Sequence, residues 1–304
     1  MQLSDIRTRL QDVYGNTLSS EDTFYTRIVN DAYHKICALA DWWWLETYEV
    51  LTFDAPLVSA RDFDCTESTA DIVASAASDS IASTYNFGWA FTGENTYRIT
   101  TVSAATVTLD SDFIETSSCY QMAFWNDTYT LSTAFDHAVS MTPRGAPNYK
   151  PLTHVPLEKI ETYGADLVGH EAEVAGRFSV FKESVYDADQ FRVRIYPPPE
   201  EITEYVLRFI QTPADLVNDT DEPLIPNKHV ATLVDFARLE LAKVAGVTPD
   251  EVQLWETEAQ KGISRMLVDQ SKKGNVLKQF GRKGTRQTTI MPFRLVNVTA
   301  GDPI

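Results

Sequence analysis

No run in this chain approaches the ~18 consecutive apolar residues that a membrane-spanning helix needs, which excludes a helical membrane anchor as a sequence reading. Cysteine is scarce: Cys37, Cys65 and Cys119 are odd in number and far apart, without CxxC spacing. Buried thiols are therefore the expected state, ahead of disulfides or zinc ligands. The five histidines, His34, His137, His154, His170 and His229, form neither HxxxH nor HExxH. GxSxG, GxGxxG after a strand and GxxxxGK[ST] are also missing, so the common nucleophile, dinucleotide and phosphate-loop signatures have no counterpart. Gly281-Arg282-Lys283-Gly284-Thr285 lacks the Lys-Ser/Thr ending and a following helix, and reads as a basic linker. The opening Met1-Gln2-Leu3-Ser4-Asp5-Ile6 lacks the basic and apolar regions of a signal peptide, so the expected compartment is the cytosol in which the protein is made.

Base is scarce too. Against 43 Asp and Glu stand 26 Lys and Arg, a net charge of −17. General nucleic-acid binding draws its affinity from neutralised phosphates, and an acidic chain offers little of that. The base that exists is gathered at the end: Lys272, Lys273, Lys278, Arg282, Lys283, Arg286 and Arg294 face Asp302 alone across residues 272–304. That segment loses hydrophobic periodicity and holds Gly274, Gly281, Gly284 and Pro292, the pattern of an extended arm.

What is present is apolar periodicity at both ends and β alternation between them. Leu3, Ile6, Leu10 and Val13 recur at helical steps and stop at Gly15. Ser19-Ser20-Glu21-Asp22 has capping-box form, and Phe24, Ile28, Ala32, Ile36 and Ala40 follow as an i+4 stripe. That helix is expected to end in Trp42-Trp43-Trp44, three of the chain's six tryptophans. Consecutive helical residues point in different directions, so at least one ring is expected to serve a second core or a neighbouring subunit. Tyr48–Phe53, Thr96–Val102, Thr106–Leu109 and Cys119–Trp125 read as strands, the middle two as a hairpin. Residues 54–84, rich in Ser, Ala, Asp and Thr, read as an exposed, mobile excursion. Phe191–Tyr196 and Glu204–Ile210 read as strands able to pair across Pro197-Pro198-Pro199. Val230, Leu233, Val234, Ala237, Leu241 and Val244 make a stripe closed by Gly246, and Thr248-Pro249-Asp250-Glu251 starts another over Val252, Trp255, Ala259, Ile263, Met266 and Leu267.

The expected fold is therefore α+β: a helical bundle from the N-terminal helices and a C-terminal helical hairpin, with a β-rich middle region and an extended C-terminal arm. Residues 1–50 and 211–271 form the helical core in this reading, 51–210 the β-rich inserted domain and 272–304 the arm. Asp215, Asp219, Asp221 and Glu222 lack the spacing of a calcium loop and read as a solvated acidic turn.

Several of these features together resemble the head-to-tail adaptor proteins of tailed bacteriophages, also called connector, tail accessory or head-completion proteins. The features are a short amphipathic helix, a second helix ending in Trp42-Trp43-Trp44-Leu45, a β-rich middle, Tyr196-Pro197-Pro198-Pro199, Tyr205-Val206-Leu207-Arg208-Phe209, and Leu224-Ile225-Pro226 opening a helical pair. The likeness covers residues 3–53 and 190–270, with 54–130 standing apart as an added segment. It implies a structural virion protein and not an enzyme, with no cofactor and no metal. Twelve copies would form a ring at the head–tail junction, dock on the portal protein through the C-terminal arm, extend the DNA channel and attach tail tube, nozzle or fibre proteins. DNA would pass without sequence-specific binding, and an acidic channel wall would keep phosphates from sticking. The alternative is a tail-associated binding module, its β-rich middle recognising a host-surface glycan or a tail fibre through Tyr85, Phe87, Trp89, Phe91, Tyr97 and Tyr120. A peptidoglycan hydrolase would need a carboxylate pair, and none stands out among so many acids.

Overall fold

The computed structural model describes residues 1–14, 22–55, 57–76, 81–103, 105–145, 150–163, 175–182, 190–199, 201–245 and 249–279. Over these the chain forms five α-helices and thirteen strands around three separate hydrophobic cores. β-structure dominates, and this corrects the expected helical bundle with a C-terminal helical hairpin. A closed six-stranded barrel and two further sheets carry most of the architecture, and the helices gather around one core of the three.

The barrel uses β2 (Leu57–Cys65), β3 (Asp71–Ala74), β4 (Trp89–Phe91), β5 (Thr96–Ser103), β6 (Thr106–Leu109) and β7 (Ser118–Trp125) in the order β2-β3-β6-β5-β4-β7, closing β7 on β2. Closure leaves no unpaired edge along the ladder. The interior is small and needs few side chains: Phe63, Ile72, Ile99, Val107, Phe113 and Phe124 are wholly buried within it. Tyr97 and Ile99 point inward from β5, then Val102 does, a change of phase that simple alternation forbids. A bulge at Thr100 makes the shift, and the Thr100 hydroxyl donates to the Thr108 carbonyl at 2.9 Å.

Residues 57–65 and 71–74 correct the expectation of a mobile excursion over 54–84. They are barrel strands that bury Phe63, Cys65 and Ile72 among the described side chains, with Leu57 and Ala74 packed beside them, so their low apolar content is what a barrel wall requires.

The second core lies between two sheets. One has the order β1-β13-β9, from β1 (Glu46–Phe53), β13 (Thr203–Gln211) and β9 (Phe135–Pro143). The other has the order β10-β11-β12-β8, from β10 (Thr153–His154), β11 (Arg177–Lys182), β12 (Phe191–Tyr196) and β8 (Thr128–Thr130). Leu51, Phe53, Tyr205, Leu207 and Phe209 of the first meet Phe178, Val193 and Ile195 of the second. The expected pairing of β12 with β13 is corrected: the prolines between them end one strand, and the next joins the opposite sheet.

β12 alternates Arg192, Val193, Arg194 and Ile195, and all four are buried. Val193 and Ile195 enter the sandwich core, while the arginines meet the barrel. Arg192 lies over the Phe87 ring with its guanidinium carbon 3.7 Å from the centroid, and Arg194 lies 5.0 Å from that of Trp89. Asp127, wholly buried where the chain passes from β7 to β8, accepts from Arg194 Nε at 2.5 Å, Trp89 Nε1 at 3.2 Å and Thr128 Oγ1 at 2.9 Å. Removing one partner of such a pair strands a buried charge, a loss of about 3–5 kcal/mol. Asp127→Ala is therefore expected to lower the urea unfolding midpoint sharply, with the double variant Asp127→Leu/Arg194→Met losing less. Equal losses in the two variants would show that the ion pair is not what holds this junction.

The third core joins α1 (Leu3–Tyr14), α2 (Asp22–Cys37), α4 (Val230–Ala245) and α5 (Pro249–Gln279) with Trp42, Trp44, Leu45 and Ile210, while α3 (Leu157–Tyr163) packs beside β11. The Gly15 stop, residues 19–21 of the first capping box and the 246–248 turn lie outside the described residues. α2 ends at Cys37, so the three tryptophans are not on a helix as expected but on the turn that leads into β1. Freed from helical geometry, Trp42 and Trp44 stack at 4.6 Å and 13° in the same core. Trp42 Nε1 donates to the Ile36 carbonyl at 2.7 Å, satisfying one of the acceptors a helix end leaves open.

Candidate functional site

α5 begins as expected, with Pro249 first and Asp250 and Glu251 in its first turn. It then runs to Gln279, which corrects the start of the extended arm: residues 272–279 are helical. Of the seven arm residues Lys272 is exposed. Lys273 and Lys278 lie on the last turns of α5, and Arg282, Lys283, Arg286 and Arg294 lie outside the described residues. What precedes the arm is held in place with unusual thoroughness.

The seat of α5 is made by its small and polar residues. Ala259 and Met266 are buried, Val252, Trp255 and Ile263 are half-buried, and Leu267 is exposed at the edge of the expected stripe. Gly262 lets α5 approach α4 so closely that a Cβ there would stand 2.4 Å from Thr232 Oγ1 and 2.5 Å from its Cγ2. Thr232 is β-branched and stiff, so the clash cannot be relieved by swinging a long side chain away. Gly262→Ala is expected to destabilise the protein by roughly 1–3 kcal/mol, the usual cost of overpacking, in thermal or urea unfolding. Adding Thr232→Ala should recover part of the loss, and a neutral Gly262→Ala would mean the helices separate freely.

Two turns further on, α5 grips the tryptophan turn. Gln270 accepts from the Trp43 backbone N–H at 2.9 Å and donates to the Asp41 carbonyl at 2.7 Å, so one amide holds both ends of the turn. Asp269 pairs with Lys228 and, at 2.9 Å, with His229 Nε2; His229 is itself buried beside the Trp44 ring. Hydrogen bonding from Lys228, then from His229, holds the Asp269 carboxyl below the usual carboxylate range. Because folding lowers this pKa, the contribution is complete above the ordinary value of about 3.9 and is lost as pH falls through the folded value. Asp269→Asn should therefore melt below the parent protein at neutral pH, and the gap should close as the pH drops below about 4. A gap independent of pH would assign the effect to something other than the charge. Leu267 and Val268 stay exposed just before this clasp, and Trp43 is half-buried beside it.

The acids that read as a solvated turn are largely solvent-exposed, and they also pair with the N-terminal segment. Asp219 pairs with Arg7, His34 Nε2 lies 2.6 Å from Asp215, and Glu222 lies 3.6 Å from the N-terminal ammonium. Asp221 accepts from the Val217 and Asn218 N–H groups, which lowers its pKa, and its own carbonyl accepts from Leu3 N–H. Asn30 exchanges two hydrogen bonds with the Leu216 backbone.

Among the described residues, no group of three His, Cys, Asp or Glu side chains stands where it could hold a metal ion, and no helix is long and apolar enough to cross a membrane. Burial pushes the Cys37 and Cys65 thiols up to about 12, so both stay protonated at neutral pH, whereas Cys119 is exposed. Of the six aromatics offered as a glycan platform, Tyr85 and Tyr97 are buried in the barrel. Phe87 and Trp89 lie under arginines at the junction, and Phe91 and Tyr120 are at most half-buried.

Sequence reading missed Asp269, Gln270 and Asp127 altogether. Single polar residues carry no periodic signal; only the alternation of Arg192 and Arg194 hinted that a second face of β12 had something to meet.

The family model described as SU10 adaptor protein matches residues 60–279, more than two thirds of the chain. The chain belongs to the SU10 adaptor protein family, a family of phage-type structural adaptors that work among other virion components. The matched span takes in the barrel from residue 60 onward, which corrects the reading of 54–130 as a segment foreign to the family, and residues 3–53 fall wholly outside it. No curated protein matches the chain.

Proposed function

We propose that this protein is a head-to-tail adaptor subunit, twelve copies of which form a ring at the head–tail junction. In this reading its C-terminal arm docks on the portal, its ring extends the DNA channel and its outer parts receive tail components. The role is structural, with no catalytic step. Family membership carries the reading, and two features of the chain support it.

The first is the division of charge. An acidic body with a basic terminal segment suits a subunit that repels the DNA passing it and engages a partner at one end. The second is the clasp at the base of α5. An arm that must find a fixed register on a ring gains little if its root swivels, and Gly262, Asp269 and Gln270 fix that root against α4 and the tryptophan turn. Val268, 52% exposed, and Leu267 supply apolar surface at the same place.

Ending the chain after Gln279 tests this. The shortened protein is expected to fold, shown by an unchanged unfolding transition, and to add no density to portal rings in electron micrographs where the full chain does. Normal addition of the shortened protein would remove the arm from the docking step.

A further inference from the structure

A groove of about 480 Å³ runs between α4 and α5. Phe236, Leu239, Ala242, Val252 and Ala259 line it, with Glu240 on one wall and Glu256 on the other. Glu240 holds Lys35 at 2.7 Å, while Glu256 is exposed and takes only a 3.3 Å bond from Gln260. The groove is thus apolar within, bordered on α4 by the Glu240–Lys35 ion pair and on α5 by the exposed Glu256 carboxylate.

The chain contains a segment with the inverse pattern. Arg286 and Arg294 bracket Ile290, Met291 and Phe293, and Pro292 among them disfavours a continuing helix. Apolar side chains flanked by cations match an apolar floor with the exposed Glu256 carboxylate on its α5 wall. The reach is sufficient. From Gln279 back to Glu256 along α5 is about 35 Å at 1.5 Å per residue, and the fourteen residues from Phe280 to Phe293 span at most about 46–50 Å when extended. Tethering raises the local concentration of such a segment to roughly the millimolar range, enough to favour a modest contact within one molecule over contacts between molecules.

We infer that residues 286–294 of the chain's own C-terminal segment lie in the α4–α5 groove while the subunit is free. The arm is then folded back on the acidic body until a partner with a better site draws it away. A subunit so arranged hides its apolar docking residues in solution and exposes them only on encounter, which separates storage from assembly. This goes beyond the docking role proposed above and does not depend on it: the groove can hold the segment whatever the segment later binds.

Disulfide trapping in the full chain tests the inference. With Cys119→Ser removing the exposed thiol, Phe293→Cys is paired with Gln260→Cys on the groove rim, and in a second variant with Leu239→Cys inside it. Under mild oxidation each pair is expected to form a disulfide within one molecule, at roughly tenfold the yield of a Val73→Cys/Phe293→Cys control on the barrel surface. Glu256→Lys should cut that yield several-fold. Yields equal to the control, indifference to Glu256→Lys, or disulfides found only between two molecules would each overturn it, the last placing a second copy in the groove.

Discussion

A buried carboxylate at the point where three elements meet is the constraint on which this molecule turns. Asp127 joins the end of the barrel, the start of β8 and the middle of β12, and its partners come from the barrel and the sandwich alike. Three separate apolar cores cannot be packed into one another without losing the strands that enclose them, so their junctions fall on backbone turns and polar side chains. Such a junction is expensive unless every charge finds a partner. Here Arg194, opposite Asp127, also lies over Trp89, and Arg192 two residues before it lies over Phe87, which lets planar, weakly hydrated guanidinium groups be buried where ammonium groups would resist.

The helical layer uses the same device with more water about. The loop at 215–222 spends its acids on Arg7, His34 and the N-terminal ammonium, and its backbone carbonyls on the first N–H groups of α1. Exposed ion pairs of this kind contribute little singly. Their value lies in register: the loop accepts from Leu3 and Ser4 while Asn30 reads Leu216, so α1 and α2 enter the core at one height. An acidic turn that looked solvated in one dimension is a template for the first two helices in three.

That difference measures how much was legible. α1, α2, β5, β6, β7 and the start of α5 follow from periodicity because each repeats one local rule over many residues. The strands β2 and β3 were hidden because a small closed barrel asks each strand for only one or two inward side chains, and Phe63, Cys65 and Ile72 are too few to announce a pattern among Ser, Asp and Thr. β12 and β13 were assigned to one hairpin on sequence proximity, but proximity says nothing about which sheet a strand joins once Pro197 to Pro199 have turned the chain. The tryptophans were misplaced by extending α2 seven residues past its end at Cys37; on the turn that follows, Trp42 and Trp44 stack in one core. Of the candidate site, the terminal excess of Lys and Arg is legible as composition. The clasp that precedes it was not, since Asp269 and Gln270 act through partners about 40 and 230 residues away in sequence.

The arm and the clasp together explain why α5 is so long. A 31-residue helix exceeds what its core contacts require, because the last side chain buried in that core belongs to Met266. The turns beyond Gln270 carry the chain about 13 Å past the clasp at 1.5 Å per residue. A flexible segment of the same length would reach as far but in any direction, and its ordering on a partner would cost about 1–2 kcal/mol of backbone entropy per residue. Spending nine residues on helix instead fixes the exit vector before any partner arrives and confines that cost to the residues that make contact. In the ring proposed above the advantage would multiply, since every copy would have to present its terminal segment at the same radius and angle for all of them to engage one partner ring at once.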